Sequence, residues 1–165
     1  MENVKMAGKE FVFKHTVYLN ETNAIGGVVY FSNYVKWQGM VREEYFMKTF
    51  PSWIQIMKEV EEGKVHMITV QEHSHFRRHA FFGDTIIIKL QTADIRRCSF
   101  DLKFKMYRNS IEELIYEGWH TLTFTDYKGD FISLPEPIRE TIVSYQATDT
   151  EDKRKHARGQ KALRH

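Results

Sequence analysis

The spacing of apolar residues changes twice along this chain, and each change predicts a different secondary structure. Close to the N-terminus apolar and polar residues alternate, so Phe11, Phe13, His15 and Val17 share one face of a predicted strand. Apolar residues then recur every three or four positions, which is typical of a helix, before alternation returns. The pattern predicts strands at about 11–19, 66–76, 85–91, 98–107 and 114–125, and helices at about 34–48, 52–60 and 138–145.

The order of these elements predicts an α+β fold. One strand and two helices precede four strands, which favours an antiparallel sheet wrapped around one long central helix. Gly39 inside the long helix costs about 1 kcal/mol relative to alanine, so we expect close backbone packing against the sheet there. Cys98 begins a cleanly alternating strand on its apolar side, which predicts an inert, buried thiol.

The start of the long helix carries the most concentrated candidate chemistry. Ser32 and Asn33 are predicted N-caps, and the helix is expected to begin at about Tyr34. A polar triplet at 21–23 and paired glycines at 26–27 precede it. Free N–H groups at a helix start can bind a developing negative charge. This arrangement predicts an oxyanion site for chemistry on a carbonyl.

Length, charge and cysteine usage narrow the class of protein. The 165 residues suit one domain, expected at 1–146, followed by a disordered basic tail at 147–165. Residues 151–165 hold six Lys or Arg and two acidic residues, a net charge of +4. Since the whole chain has a net charge of +2, the rest of it has a net charge of −2. The domain is therefore not expected to bind nucleic acid. A single cysteine and the lack of a long apolar run predict a cytoplasmic protein without a membrane span.

Other chemistries lack their usual sequence patterns. No phosphate-binding glycine loop, serine nucleophile elbow or paired-cysteine motif occurs in the sequence. His73 and His75 share a strand face, but no third metal ligand follows at a suitable spacing, so a solvated or interface strand face is favoured. We therefore expect neither a metal nor a cofactor.

The stretch from Glu21 to Phe46 resembles the hot-dog fold thioesterases of the 4-hydroxybenzoyl-CoA thioesterase type. Their motif is a D-x-D-x-x-G loop, an N-Y pair and a long central helix, and here E-T-N-A-I-G precedes N-Y. Asn23 stands where that family usually has its catalytic aspartate. Asparagine there, followed by W-Q-G and R-E on the helix, resembles the enediyne polyketide branch, which releases polyene chains from an acyl carrier protein. The resemblance implies a hot-dog fold and a homodimer or homotetramer with sites at subunit interfaces.

The resemblance also implies which residues act. Asn23 and Arg42 are the candidate catalytic residues, and the Phe31 backbone N–H is the candidate oxyanion donor. Without the resemblance, a loop asparagine is more often a turn cap and a helix arginine an exposed charge. Arg42 shares a helix stripe with Gln38, and a partly buried guanidinium there needs a polar partner. Tyr34 is a candidate hydroxyl donor, with simple packing as an equal alternative.

Direct attack of water is the expected mechanism, because asparagine is neither a nucleophile nor a base. The expected substrate is an acyl thioester on an acyl carrier protein or coenzyme A, carrying a polyketide or polyene chain, and the carrier protein or polyketide synthase is the expected partner. One alternative is a general acyl-CoA thioesterase of primary metabolism, with Glu44 or Glu21 as the acid–base group. Surface charge is the favoured interpretation of Glu44, which is held in reserve. The other alternative is a weakly catalytic acyl-binding or carrier-docking module, in which Asn23 marks lost chemistry.

Overall fold

A single antiparallel sheet and one long helix organise the molecule. The computed structural model describes residues 8–23, 26–51 and 53–148. Neighbouring strands follow the order β1-β3-β4-β5-β2, and every pair is antiparallel. This confirms the predicted α+β architecture. The elements are β1 (Phe11–Thr16), α1 (Ser32–Thr49), α2 (Trp53–Glu61), β2 (Val65–Phe76), β3 (Thr85–Ala93), β4 (Ser99–Arg108), β5 (Leu114–Asp126) and α3 (Glu136–Ser144).

The buried face of α1 lies on this sheet and forms the core. Trp37, Val41 and Tyr45 recur at helical spacing along α1 and are completely buried. Burial of each such large apolar side chain stabilises the fold by roughly 1.5–3 kcal/mol. Alternate residues of the three central strands complete this core: Ile86, Ile88, Leu90, Phe100, Leu102, Phe104, Met106, Tyr116, Leu122 and Phe124.

Strand β2 is an unusually long edge of the sheet. Its 12 residues pair only with β5, so its other side has no partner strand within the described chain. Between Thr69 and Gln71 its pairing shifts by one residue, which is a β-bulge. Ile68, Val70 and Phe76 are exposed on this strand. A long edge with exposed apolar residues is a template for pairing with another strand.

The close approach expected at Gly39 occurs instead at Gly118. A Cβ built on Gly39 meets no atom within 4 Å, so the expectation of tight packing there was wrong. A Cβ on Gly118 in β5 would lie 2.3 Å from Gln38 Nε2 and 2.5 Å from the His73 carbonyl oxygen. A side chain at position 118 would meet the backbone of β2, which cannot move aside as a flexible side chain can, so only glycine fits here without a shift.

Two other expectations change at element boundaries. Cys98 precedes β4, which begins at Ser99, and its side chain is half-buried, so it is not the fully buried strand thiol expected. At the end of the domain, the Ala147 amide donates to the Thr92 carbonyl at 2.9 Å. From residue 149 onward, the predicted tail lies outside the described residues.

Candidate active site

Glu21 organises the loop that precedes α1. Its buried carboxylate accepts hydrogen bonds from the Trp37 indole at 2.8 Å, the Tyr18 amide at 2.8 Å and His15 Nε2 at 2.9 Å. Burial raises the pKa of Glu21, but these hydrogen bonds outweigh it and hold the pKa below the usual value. Because both carboxylate oxygens are occupied, Glu21 is built to position the loop rather than to exchange protons with a substrate.

The Glu21 backbone carbonyl holds the same loop from its other side. It accepts the Tyr30 amide at 3.0 Å and the Asn33 side-chain amide at 2.7 Å. Asn33 therefore bonds across the loop and does not cap the helix. The Asn23 backbone N–H donates to the Val28 carbonyl oxygen at 2.9 Å, which closes a turn. Gly26 and Gly27 lie in this turn with φ of +79° and +64°, a backbone region that favours glycine.

The helix start is open to a ligand. Helix α1 begins at Ser32, two residues earlier than expected, and Phe31 occupies the N-cap without a side-chain cap. No acceptor among the described residues takes a hydrogen bond from the Phe31 N–H. The positive end of an 18-residue helix adds to the attraction for negative charge at this point.

A cleft of about 670 Å³ lies directly in front of this helix start. Asn23, Phe31 and Tyr34 all line it, so the structure brings three of the predicted site residues together. Apolar side chains form much of its wall, including Val28, Val29, Tyr30, Phe76 and Phe81, and basic residues also line it: Arg77, Arg78, His79 and Arg108.

Tyr34 closes the inner wall of the cleft. Its ring is buried and stacks on Tyr116, with centroids 5.4 Å apart, and its hydroxyl oxygen accepts the Ala80 amide at 3.0 Å. Burial raises the pKa of Tyr34, so the phenol stays protonated. Its hydroxyl proton has no acceptor in the part of the chain described here, which leaves Tyr34 able to donate.

Arg42 lies deeper along α1 and does not line the cleft. It is ten positions beyond Ser32, or about 15 Å at 1.5 Å per residue. Its guanidinium donates to the Thr69 hydroxyl at 2.9 Å, while its buried Nε has no partner in the described residues. Burial lowers the pKa of Arg42. Burial also lowers the pKa of His120 to about 4, and the positive charge of Arg42 adds a smaller effect in the same direction. A half-buried guanidinium held by one neutral hydroxyl is well suited to an anionic group.

A chain of hydrogen bonds joins α1 to the edge strand, and sequence patterns did not reveal it. Gln38 Nε2 donates to the Tyr116 hydroxyl at 2.5 Å, and that hydroxyl lies 2.6 Å from Ser74 Oγ. Ser74 in turn donates to the Glu72 carboxylate. The available signal was alternation: Glu72 and Ser74 are two residues apart on β2 and share a face.

The remaining candidates lie apart from the cleft. Glu44 forms a 2.7 Å ion pair with Lys48 one helical turn away, as expected for a surface charge. His73 stacks on Trp119 with ring centroids 3.9 Å apart. Across the described chain, no cluster of three His, Cys, Asp or Glu side chains is arranged to hold a metal.

A family comparison identifies the chain. Residues 17–161 match the model of the thioesterase-like superfamily, and the chain therefore belongs to that superfamily. No curated protein sequence gives a significant match. None of the helices in the described residues is both long enough and apolar enough to cross a membrane.

Three of the solved structures with the same architecture are thioesterases by name. The dynemicin thioesterase, whose crystal structures reveal effects of polyene binding, superposes with a TM-score of 0.75 at 22% identity, covering 86% of this chain and 100% of its own. A 1,4-dihydroxy-2-naphthoyl-CoA thioesterase from Synechocystis superposes with a TM-score of 0.74 at 18% identity. The match covers 82% of this chain and 96% of the Synechocystis chain. An aspartate-to-asparagine variant of 4-hydroxybenzoyl-CoA thioesterase, bound to 4-hydroxybenzoyl-CoA, superposes with a TM-score of 0.67 at 23% identity. The match covers 80% of this chain and 98% of that thioesterase. This likeness confirms the predicted hot-dog fold.

Proposed function

We propose that this protein hydrolyses acyl thioesters by direct attack of water. The observation that carries the proposal is the Phe31 N–H at the start of α1, which has no acceptor among the described residues and shares a largely apolar cleft with Asn23. The Phe31 N–H donates to the thioester carbonyl oxygen, and the side-chain amide of Asn23 forms a hydrogen bond with that carbonyl or with the attacking water. As water adds, negative charge develops on that oxygen, and loss of one such donor typically costs about 100- to 1,000-fold in rate.

Arg42 is the second catalytic group of the proposal, and it comes from a second copy of the chain. Arg42 is too far along α1 to contact Asn23 of its own subunit. Pairing of the open β2 edges of two copies covers Ile68 and Val70 and places the two α1 helices on the same side of a continuous sheet. The active unit is therefore a homodimer, or a tetramer built from two such dimers.

The proposed substrate carries a phosphopantetheine arm, attached either to an acyl carrier protein or within coenzyme A. Arg78 and His79 are exposed at the cleft and suit its phosphate groups. Within this class, a polyketide or polyene chain on a carrier protein is favoured by the Asn23 motif and by the likeness to the dynemicin thioesterase. The general acyl-CoA alternative with a Glu21 or Glu44 acid–base group has less support, because both carboxylates already have partners.

Two measurements test this function. In the first, the same set of acyl chains is offered on coenzyme A and on an acyl carrier protein, and the products are identified by mass spectrometry. This shows whether thioesters are hydrolysed and which of the two carriers is preferred. Mixing inactive Asn23→Ala and Arg42→Ala subunits tests the shared site, because a mixed dimer contains one intact pair. After subunit exchange, about a quarter of wild-type activity should return.

Each outcome has a distinct meaning. No recovery on mixing, with exchange verified by mass, would mean that Asn23 and Arg42 do not act across an interface. Thioester release at the uncatalysed rate from every substrate, with tight acyl binding, would favour the non-catalytic binding module.

A further inference from the structure

Direct water attack releases a proton, and neither proposed catalytic side chain can accept it. Asn23 is an amide and Arg42 remains a cation, so the hydrolysis needs a proton acceptor elsewhere. The carboxylates beside the cleft already have partners. Glu21 is fully hydrogen-bonded and Glu117 pairs with Arg77.

Glu72 is different. It is exposed on β2, forms no ion pair within the described residues, and accepts a hydrogen bond from Ser74. Phe76, Ser74 and Glu72 follow one another on the face of β2 that meets α1. Phe76 lines the cleft and packs edge-on against Tyr34, and Ser74 is the next residue on that face, about 7 Å along the strand.

The hydrogen bonds behind Ser74 have a defined direction. Gln38 Nε2 can only donate, so the Tyr116 hydroxyl accepts from it and donates onward to Ser74 Oγ. Ser74 then donates to Glu72. Burial, the largest influence, raises the pKa of Tyr116 to about 12, so the phenol does not compete for the proton. Among the four residues of this hydrogen-bonded series, only Glu72 has a group that can take up a proton, its carboxylate.

We propose that Ser74 and Glu72 form the proton-accepting relay of the hydrolysis, with Glu72 supplying the carboxylate that loop position 23 lacks. This inference rests on the proposed function. Water transfers its proton to Ser74 Oγ as its oxygen bonds to the thioester carbon, and the Ser74 hydroxyl proton passes to Glu72. When the carbon–sulfur bond breaks, the leaving sulfur takes a proton back through the relay. One water and one thioester thus give one carboxylic acid and one thiol.

Glu72→Gln separates this role from a surface hydrogen bond, because glutamine keeps the shape and an acceptor oxygen but cannot take up a proton. Turnover should fall by about 100-fold or more with little change in KM, as is typical for loss of a general base. Hydroxylamine attacks without needing such a base, so thioester cleavage by hydroxylamine should fall by less than about 5-fold in the same variant. Ser74→Ala should show the same split between nucleophiles, and Glu43→Gln on the exposed side of α1 should change neither rate.

Thermal melting of each variant checks that the fold is retained. Equal losses with water and hydroxylamine would overturn the relay, as would Glu72→Gln turnover above about a third of wild type. Either result, obtained with an active wild-type enzyme, leaves the thioesterase function intact. A wild-type enzyme that hydrolyses no thioester overturns both proposals.

Discussion

The indole of Trp37 donates a 2.8 Å hydrogen bond to the buried carboxylate of Glu21, across sixteen positions of sequence. This bond ties the loop that carries Asn23 to the first turns of α1. It explains how a loop with two glycines keeps Asn23 beside the helix start. The two residues position the site without lining its cleft.

Trp37→Phe should test that tie. The variant keeps an aromatic ring but removes one donor from a buried carboxylate, which should lower the free energy of unfolding by about 1–3 kcal/mol. Glu21 has a lowered pKa when folded, so its stabilisation is present above the unfolded value of 4.5 and is lost as pH falls through the folded value. The difference between wild type and variant in urea titrations should therefore shrink as the pH falls below 4.5 and through the lower folded pKa of Glu21. Trp53→Phe, which removes no bond to a carboxylate, should show no such pH-dependent difference.

A pair of glycine substitutions should act in opposite directions. Gly118→Ala places a methyl group 2.5 Å from the His73 backbone oxygen, so β2 or β5 must shift, and we expect a loss of about 3 kcal/mol. Gly39→Ala meets no atom within 4 Å and should stabilise α1 by about 0.5–1 kcal/mol. Chemical denaturation of both variants measures the contrast. Similar effects of the two changes would contradict the close approach at Gly118.

His120 should make stability depend on pH. Its pKa is lowered from 6.5 to about 4 by burial and, second, by Arg42, so the folded protein holds it neutral while the unfolded chain protonates it. Stability should therefore fall between pH 6.5 and 4, by about 3 kcal/mol in total from this group. His120→Phe, which fills similar space beside Phe104, should flatten that part of the profile. The same slope in wild type and variant, with exposed His75→Gln as control, would assign the pH dependence to other groups.

Single substitutions should separate the proposed catalytic residues from the reserve carboxylate. Asn23→Ala and Arg42→Ala should each lower kcat by about 100- to 1,000-fold, because each removes a donor to developing charge. Glu44→Gln should change kcat by less than about 3-fold, since it breaks only a surface ion pair with Lys48. Single-turnover assays, with circular dichroism to check folding, make the comparison. Loss of turnover in Glu44→Gln together with a mild Asn23→Ala phenotype would reverse the assignment.

Sequence patterns were sufficient wherever the physical cause is local. Alternation located all five strands to within about three residues, because the two faces of a half-buried strand require different side chains. Helical spacing located α1 for the same kind of reason. The E-T-N-A-I-G motif and the N-Y pair indicated the family. The oxyanion site expected from the polar loop before the helix stays a prediction.

Tertiary structure decided what depends on distant partners. Asn33 was expected to cap α1, but it bonds to the Glu21 carbonyl, which the loop brings back to it only when folded. Nothing in the sequence distinguishes Gly39 from Gly118. Only the pairing of β5 with β2 makes a side chain at position 118 sterically impossible without a shift of the backbone.

The separation of Asn23 from Arg42 and the chain of hydrogen bonds from Gln38 to Glu72 follow from the way α1 lies along β5 and β2. Local patterns specify which face of an element is buried. Hydrogen bonds between residues as far apart as Gln38 and Tyr116, 78 positions in sequence, depend on how the elements pack. Each such bond forms only once the burial of many apolar side chains has offset the entropy of ordering the chain between its partners.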